Sequence, residues 1–243
     1  MTESIKPASP DGDGIVGILL TAKEWHRQDV LGLLARLNYL QAHNRRVAEM
    51  MIVMMGHLGG TSNDELTMSA VGALNHDLGK IDPLVLWSVN LPRALTETEM
   101  AEVKKHPSLG AELAVRLGLP EETMSIIRDH HERLDGSGYP GEKTAKDLGS
   151  PVRIAAIADI YDAMRDAKRS YRTPASHEEA AGELARLVNM KKIDGVLAVK
   201  FIELMKEGYG QIYEKQSNLI RLVGMKNVDY WKWKAMLLLY GPE

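Results

Sequence analysis

His130-His131-Glu132-Arg133-Leu134-Asp135-Gly136-Ser137-Gly138-Tyr139-Pro140-Gly141 is the stretch on which the reading of the chain turns. Neighbours on a straight helix point about 100° apart, so two adjacent histidines rarely share one partner. They converge where a helix ends and the backbone is released into a loop. Asp135, Gly136, Gly138 and Pro140 supply that release. The loop then sets Tyr139 beside whatever His130 and His131 hold. Without further ligands elsewhere, the stretch would read as a surface turn with two solvated histidines.

Working outward, the chain has 243 residues, enough for one domain with a full core or two small ones. Its apolar fraction of 44% and charged fraction of 26% are those of an ordinary globular protein. A formal net charge of −3 gives no global basic field for nucleic acid. With no cysteine, disulfides, iron–sulfur clusters and thiolate zinc sites are excluded. The apolar run from Gly14 to Ala22 is too short to span a bilayer, so the chain reads as cytoplasmic and without a membrane span. Met50, Met51, Met54 and Met55 fall at helical spacing and read as a pliable core seam.

Helical patterning dominates. Residues 1–20 read as a disordered tail, 21–210 as one helical domain, and 211–243 as a C-terminal helical extension carrying Trp231 and Trp233. Leu31, Leu34, Leu37 and Leu40 mark a first helix. A second is expected from near His43 to Leu58. Ser62 with Glu65 signals the start of a third, reaching His76-Asp77 and stopping at Gly79. Thr96 with Glu99 begins a short helix to about Lys105, Pro107 opens another that Gly118 closes, and Pro120 starts the one bearing His130 and His131. Helices from Pro151 to about Asp166, from Ser176 to Asn189, and from Asp194 to Glu207 complete an all-α domain with short connections.

The histidines concentrate at expected helix ends: His43 at a start, and His76, His106, His130 and His131 at ends. Asp159 lies within an apolar run, where a carboxylate is costly to bury unless paired or bound to metal. His26, His57 and His177 fall outside this pattern and read as surface or structural residues. Imidazoles and carboxylates without thiolate suit Fe, Mn, Zn, Ni or Co. Together with Asp77, the set is too large for one first-row ion with open positions but suits two ions, with Asp77 as the natural bridge. Such a pair, about 3.5–4 Å apart, lowers the pKa of a trapped water and clamps a phosphate. Lys80, one helical turn after Asp77, could reach the same phosphate.

These residues resemble the HD superfamily of metal-dependent phosphohydrolases, and within it the HD-GYP subfamily. His76-Asp77 lie in HDLGK, similar to the HD-x-G-K string, and His130 to Pro140 match HHE-x-x-DG-x-GYP. His43 in HNRRV, His106 in HPSLG and Asp159 in ADIYDA resemble the remaining signature positions, over roughly Ala42 to Phe201. The resemblance implies a helical bundle with a glycine-rich GYP loop and a phosphodiesterase that converts cyclic di-GMP to pGpG and on to GMP. It implies two metal ions, commonly Fe or Mn, held by His43, His76, Asp77, His106, His130, His131 and Asp159. Asp77 and Lys80 would serve catalysis. Lys80, Gly138, Tyr139, Arg169 and Arg172 would contact substrate, and the loop could also dock GGDEF-type partners.

The chain departs from the family pattern in four places. Some members hold a third metal with a glutamate four residues before the first histidine; Tyr39 stands there, so two metals are expected. The IDPLVL segment after Lys80 is shorter than usual, and KRSYR, from Lys168 to Arg172, replaces D-R-P-Y-R. Too few residues precede His43 for a sensor domain, so signal input is expected from elsewhere. Two other readings stand beside the diesterase: a non-catalytic cyclic di-GMP binder or scaffold, and a general HD hydrolase of mononucleotides. The aromatic tail reads as a helix packed back on the domain, with a homodimer or partner contact as the alternative.

Overall fold

The computed structural model describes residues 27–89, 93–166 and 173–206. Among the described residues nine α-helices run in order: α1 (Arg27–Leu58), α2 (Asn63–Leu74), α3 (Pro83–Val89), α4 (Glu97–Val103), α5 (His106–Arg116), α6 (Met124–Asp129), α7 (Ser150–Arg165), α8 (His177–Asn189) and α9 (Gly195–Lys206). Short 3-10 turns lie at Leu78–Ile81 and Glu121–Thr123. Among the described residues there is no strand, only an isolated bridge between Asp135 and Thr144, so the all-α expectation holds. No described helix is long and apolar enough to cross a membrane. The two tails, the C-terminal tryptophans, Arg169, Arg172 and the side chain of Tyr39 lie outside the described residues.

Helix α1 is the axis of the domain and packs on both α2 and α7. The methionine seam is its buried face: Met50, Met51, Met54 and Met55 meet Ile154, Ile157, Leu184 and Phe201 in one core. Burying each such side chain contributes about 1.5–3 kcal/mol. A smaller cluster of Ala114, Leu117, Leu119, Met124 and Ile127 joins α5 to α6. Capping follows the sequence signals. Thr96–Glu99 and Ser176–Glu179 form complete capping boxes, while Ser62 accepts from the Glu65 amide. Gly118, at φ +69°, ends the α5 segment.

Three boundaries differ from the expected ones. No helix starts at His43, because α1 runs unbroken from Arg27 to Leu58. Asn44 does not cap; its Nδ2 donates to the Leu74 carbonyl at 3.1 Å and ties α1 to the end of α2. Helix α2 stops at Leu74, before His76-Asp77. There Asn75 Nδ2 donates to the Val71 carbonyl (2.8 Å) and His76 Nδ1 to that of Ala73 (2.7 Å), so side chains satisfy the last turn. His106 does not end a helix; it opens α5, with Pro107 in the first turn and its Nδ1 on the Val103 carbonyl at 2.7 Å.

Candidate metal centre

Each ligand-type side chain is delivered by a different local device. His43 projects from the middle of α1, and Asp159 from the middle of α7. His76 and Asp77 sit in the turn after α2, and Lys80 in the 3-10 turn that follows. The cap of α6 is His130, and His131 is the next residue. Gly79 lets the HD turn press on the start of α5: a β-carbon there would overlap the His106 carbonyl and lie 2.6 Å from the Gly110 amide nitrogen.

These seven residues converge. Nitrogen and oxygen atoms of His106, His130 and His131 lie within 4.8 Å of one another, and so do those of His43, His76 and Asp159. Asp77 stands between the two groups. Its Oδ1 is 3.4 Å from His106 Nε2 and 3.8 Å from His130 Nε2, while its Oδ2 is 3.8 Å from His43 Nε2. The Lys80 ammonium bonds Asp77 Oδ2 at 2.6 Å.

The proton positions on the histidines make the donor set fit metal. His76, His106 and His130 each have Nδ1 on a main-chain carbonyl, which only accepts, so each Nδ1 carries the proton. Each Nε2 then presents a lone pair to the centre. The Nε2 atoms of His106 and His130 face each other at 3.2 Å. Burial pushes His106 down to about 4 and His130 well below its ordinary value, so both rings are neutral and their lone pairs oppose one another. His76 Nε2 and Asp77 Oδ1 are buried with no hydrogen-bond partner. Bound cations would satisfy these atoms, and the outward N–H of each ring is anchored as ligating histidines are.

Charge is balanced in the same sense. Burial would raise the Asp77 carboxyl, but the Lys80 ammonium, with the protonated His43, holds it well below the usual carboxylate range. Asp159 is likewise held low despite burial, chiefly by His43. Burial would lower His43, yet its bonds to Asp159 and Asp162 lift it to about 9. Its Nε2 is 3.1 Å from Asp159 Oδ1, a contact that requires a proton or a cation between the two atoms.

The loop closes one side. Tyr139 stacks on His131 with ring centroids 4.7 Å apart, and Lys104 lies 5.7 Å over the Tyr139 ring. Burial pushes the Tyr139 phenol up, so it stays protonated. Gly138 passes so close to the chain that a β-carbon would overlap Glu132 Cα and the Arg133 nitrogen. Arg169 and Arg172, expected to contact substrate, lie outside the described residues.

Sequence reasoning missed the residues that hold these groups in place. Buried Glu132 accepts from the Gly141 amide (2.6 Å) and the Lys143 amide (3.0 Å) and so pins the far end of the loop. Asp129 takes the Lys143 ammonium at 2.6 Å. Arg46, Asp162 and Asp166 form a network behind His43. The i, i+3 spacings His43–Arg46 and Asp159–Asp162 were the available signal. Glu132→Ala is expected to free the loop at a cost of about 1.5–3 kcal/mol, the worth of a hydrogen bond to a charged group. Limited proteolysis checks this: new cleavage between Asp135 and Lys143 supports the role, and an unchanged digest rules it out.

Residues 33–197 match the HD domain family. The chain belongs to that family. HD-domain relatives include the 3'3'-cGAMP-specific phosphodiesterase 2 of Vibrio cholerae, 32% identical over 187 residues that make up 76% of this chain and 34% of that protein. The cyclic di-GMP phosphodiesterase of Thermotoga maritima is 30% identical over 191 residues, covering 74% of this chain and 49% of the relative. The chain thus spans between a third and a half of the length of these two relatives. Two solved structures share the fold. One is an HDG"Y"P protein from Bdellovibrio bacteriovorus, with a TM-score of 0.57 and 20% identity over 77% of this chain and 56% of that one. The other is the L. monocytogenes phosphodiesterase PgpH HD domain in complex with cyclic-di-AMP, with a TM-score of 0.52 and 16% identity over 72% of this chain and 92% of that one.

Proposed function

We propose that this HD-domain protein is a metal-dependent phosphodiesterase that hydrolyses a cyclic dinucleotide, with cyclic di-GMP as substrate and pGpG as first product. The observation that carries the reading is the placing of Asp77. Asp77 lies against both imidazole groups: its Oδ1 faces His106, His130 and His76, its Oδ2 faces His43, and Lys80 bonds Oδ2. His43, His76 and Asp159 would hold one divalent ion, His106, His130 and His131 a second, and Asp77 would serve both. Fe and Mn are the expected metals.

When bound, the metals supply an activated water and withdraw charge from the phosphoryl oxygens. The chain's own residues do the rest. The imidazoles present fixed lone pairs, so no reorganisation is needed at the moment of reaction. Lys80 bonds a non-bridging phosphate oxygen and takes up charge that grows there as water attacks phosphorus in line with the departing 3′ oxygen. Tyr139 and Gly138 shape the wall beside His131, and Arg169 and Arg172 contact phosphate or guanine.

Reconstitution under anaerobic conditions with Fe(II), and separately with Mn(II), tests the reading. Metal per chain is measured and cyclic di-GMP and 3'3'-cGAMP are followed by chromatography in the same samples. About two metals per chain with linear product is the expected result. Two metals with both substrates intact would instead assign the domain to cyclic dinucleotide binding without turnover. Lys80→Gln should lower kcat about a hundredfold, the scale for loss of one charge-stabilising donor, while metal content stays the same. An unchanged kcat would remove Lys80 from the mechanism.

A further inference from the structure

A further set of ligand-type atoms lies behind the centre: His43, Asp162 and Asp166, all buried. By composition it could hold a cation, and Arg46 supplies one. Its Nε donates to Asp162 Oδ1 at 2.7 Å, and one terminal nitrogen donates to Asp162 Oδ2 at 2.8 Å and to Asp166 Oδ2 at 2.7 Å. Asp162 Oδ2 has a second donor, His43 Nδ1, at 2.7 Å. We infer that Asp162, braced by Arg46, is a positioning residue that fixes the ring and tautomer of His43 for metal binding without touching the metal. The inference rests on the metal-centre reading above.

His76, His106 and His130 sit at helix ends, where the main-chain carbonyl three residues back takes each Nδ1 proton. His43 lies inside an unbroken helix, whose carbonyls are engaged in its own ladder. Its ring must therefore find an acceptor on another element. Helix α7 provides one through i, i+3 spacing, which puts Asp159 and Asp162 on the same face. Asp159 addresses Nε2 and Asp162 addresses Nδ1 of the same imidazole. The same spacing on α1 sets Arg46 beside His43, so the guanidinium holds the carboxylate that holds the ring.

Both Asp162 oxygens accept, and between them they take three N–H groups. An asparagine cannot do this, because its amide nitrogen would face a donor in either orientation. With that nitrogen toward His43, the ring must move its proton to Nε2 and lose the lone pair it offers the metal.

Metal-free wild type, Asp162→Asn and Arg46→Lys are titrated with Mn(II), and free ion is read by electron paramagnetic resonance to resolve the binding steps. Zn(II)-loaded protein with 15N-labelled histidine then reports the Nδ1 proton of His43 by NMR. One step should weaken about 10–100-fold in Asp162→Asn, the usual effect of removing a partner behind a metal ligand, while the other keeps its affinity. Arg46→Lys cannot pair both oxygens and should weaken the same step less; it carries the test if the asparagine variant does not fold. The His43 Nδ1 signal should shift or vanish in both variants. Two unchanged steps, or two that weaken equally through general loosening, overturn the inference while leaving the metal centre standing. A wild type that takes up no Mn(II) overturns the metal centre and this inference with it.

Discussion

Asp77→Asn should reduce cyclic dinucleotide turnover by roughly a thousandfold or more, because the metals are expected to supply several kcal/mol at about 1.36 kcal/mol per decade of rate. The carboxylate is fully enclosed, with Oδ1 near His76, His106 and His130 and Oδ2 near His43. An amide offers one oxygen and a nitrogen that cannot ligate, and it removes the negative charge that Lys80 and the histidines surround. Metal per chain should fall as well. Helix content should not, since α2 ends at Leu74, before the substituted residue. Activity at the wild-type level in a metal-replete assay, with circular dichroism unchanged, would sink the proposed role of Asp77 and the phosphodiesterase mechanism built on it.

Gly79→Ala should be among the most damaging small substitutions at the site. Its new methyl group has nowhere to go, because the obstacles are the His106 carbonyl and the Gly110 amide, both backbone of α5. Overpacking of this kind costs about 1–3 kcal/mol, and rigid backbone on both sides sets it at the upper end. For a chain of this size, about 2–4 °C of Tm is lost per kcal/mol, so a drop of roughly 5–10 °C is expected. Displacing α5 also draws His106 away from Asp77, so metal content should fall with stability. Thermal unfolding together with metal analysis reads both. A Tm within about a degree of wild type would mean that the HD turn and α5 do not approach as closely as described.

Much of the site was legible because its chemistry is local in sequence. HDLGK, HPSLG and the HHE stretch each put a ligand-type residue next to the backbone signal that turns it inward. Asp159 was legible for the opposite reason, as a carboxylate out of place in an apolar run. Helix boundaries near the histidines were not. At His43 nothing in Ala42-His43-Asn44 breaks a helix, and Asn44, a residue type that often caps, spends its amide on Leu74. At His76 the helix ends because side chains compete for its last carbonyls, a contest invisible to apolar periodicity. The bracing residues were hidden by distance in the chain. Arg46 and Asp162 are 116 positions apart, and Glu132 acts through the amides of Gly141 and Lys143, with no ligand role to announce it.

The spread of the ligands along the chain has a consequence for the order in which the centre assembles. His106 and His130 are 24 positions apart, joined by α5, α6 and one short turn. His43 and Asp159 are 116 positions apart and meet only when the long first helix has docked on α7. Closing the longer loop carries the larger entropy cost, and contacts between distant segments come late in folding. The nearer imidazole group is thus expected to close before the other. An ion captured at the early group, with Asp77 beside it, would meet α1 and α7 as a preformed anchor, so metal supplied during refolding should speed the final docking step more than metal supplied afterwards.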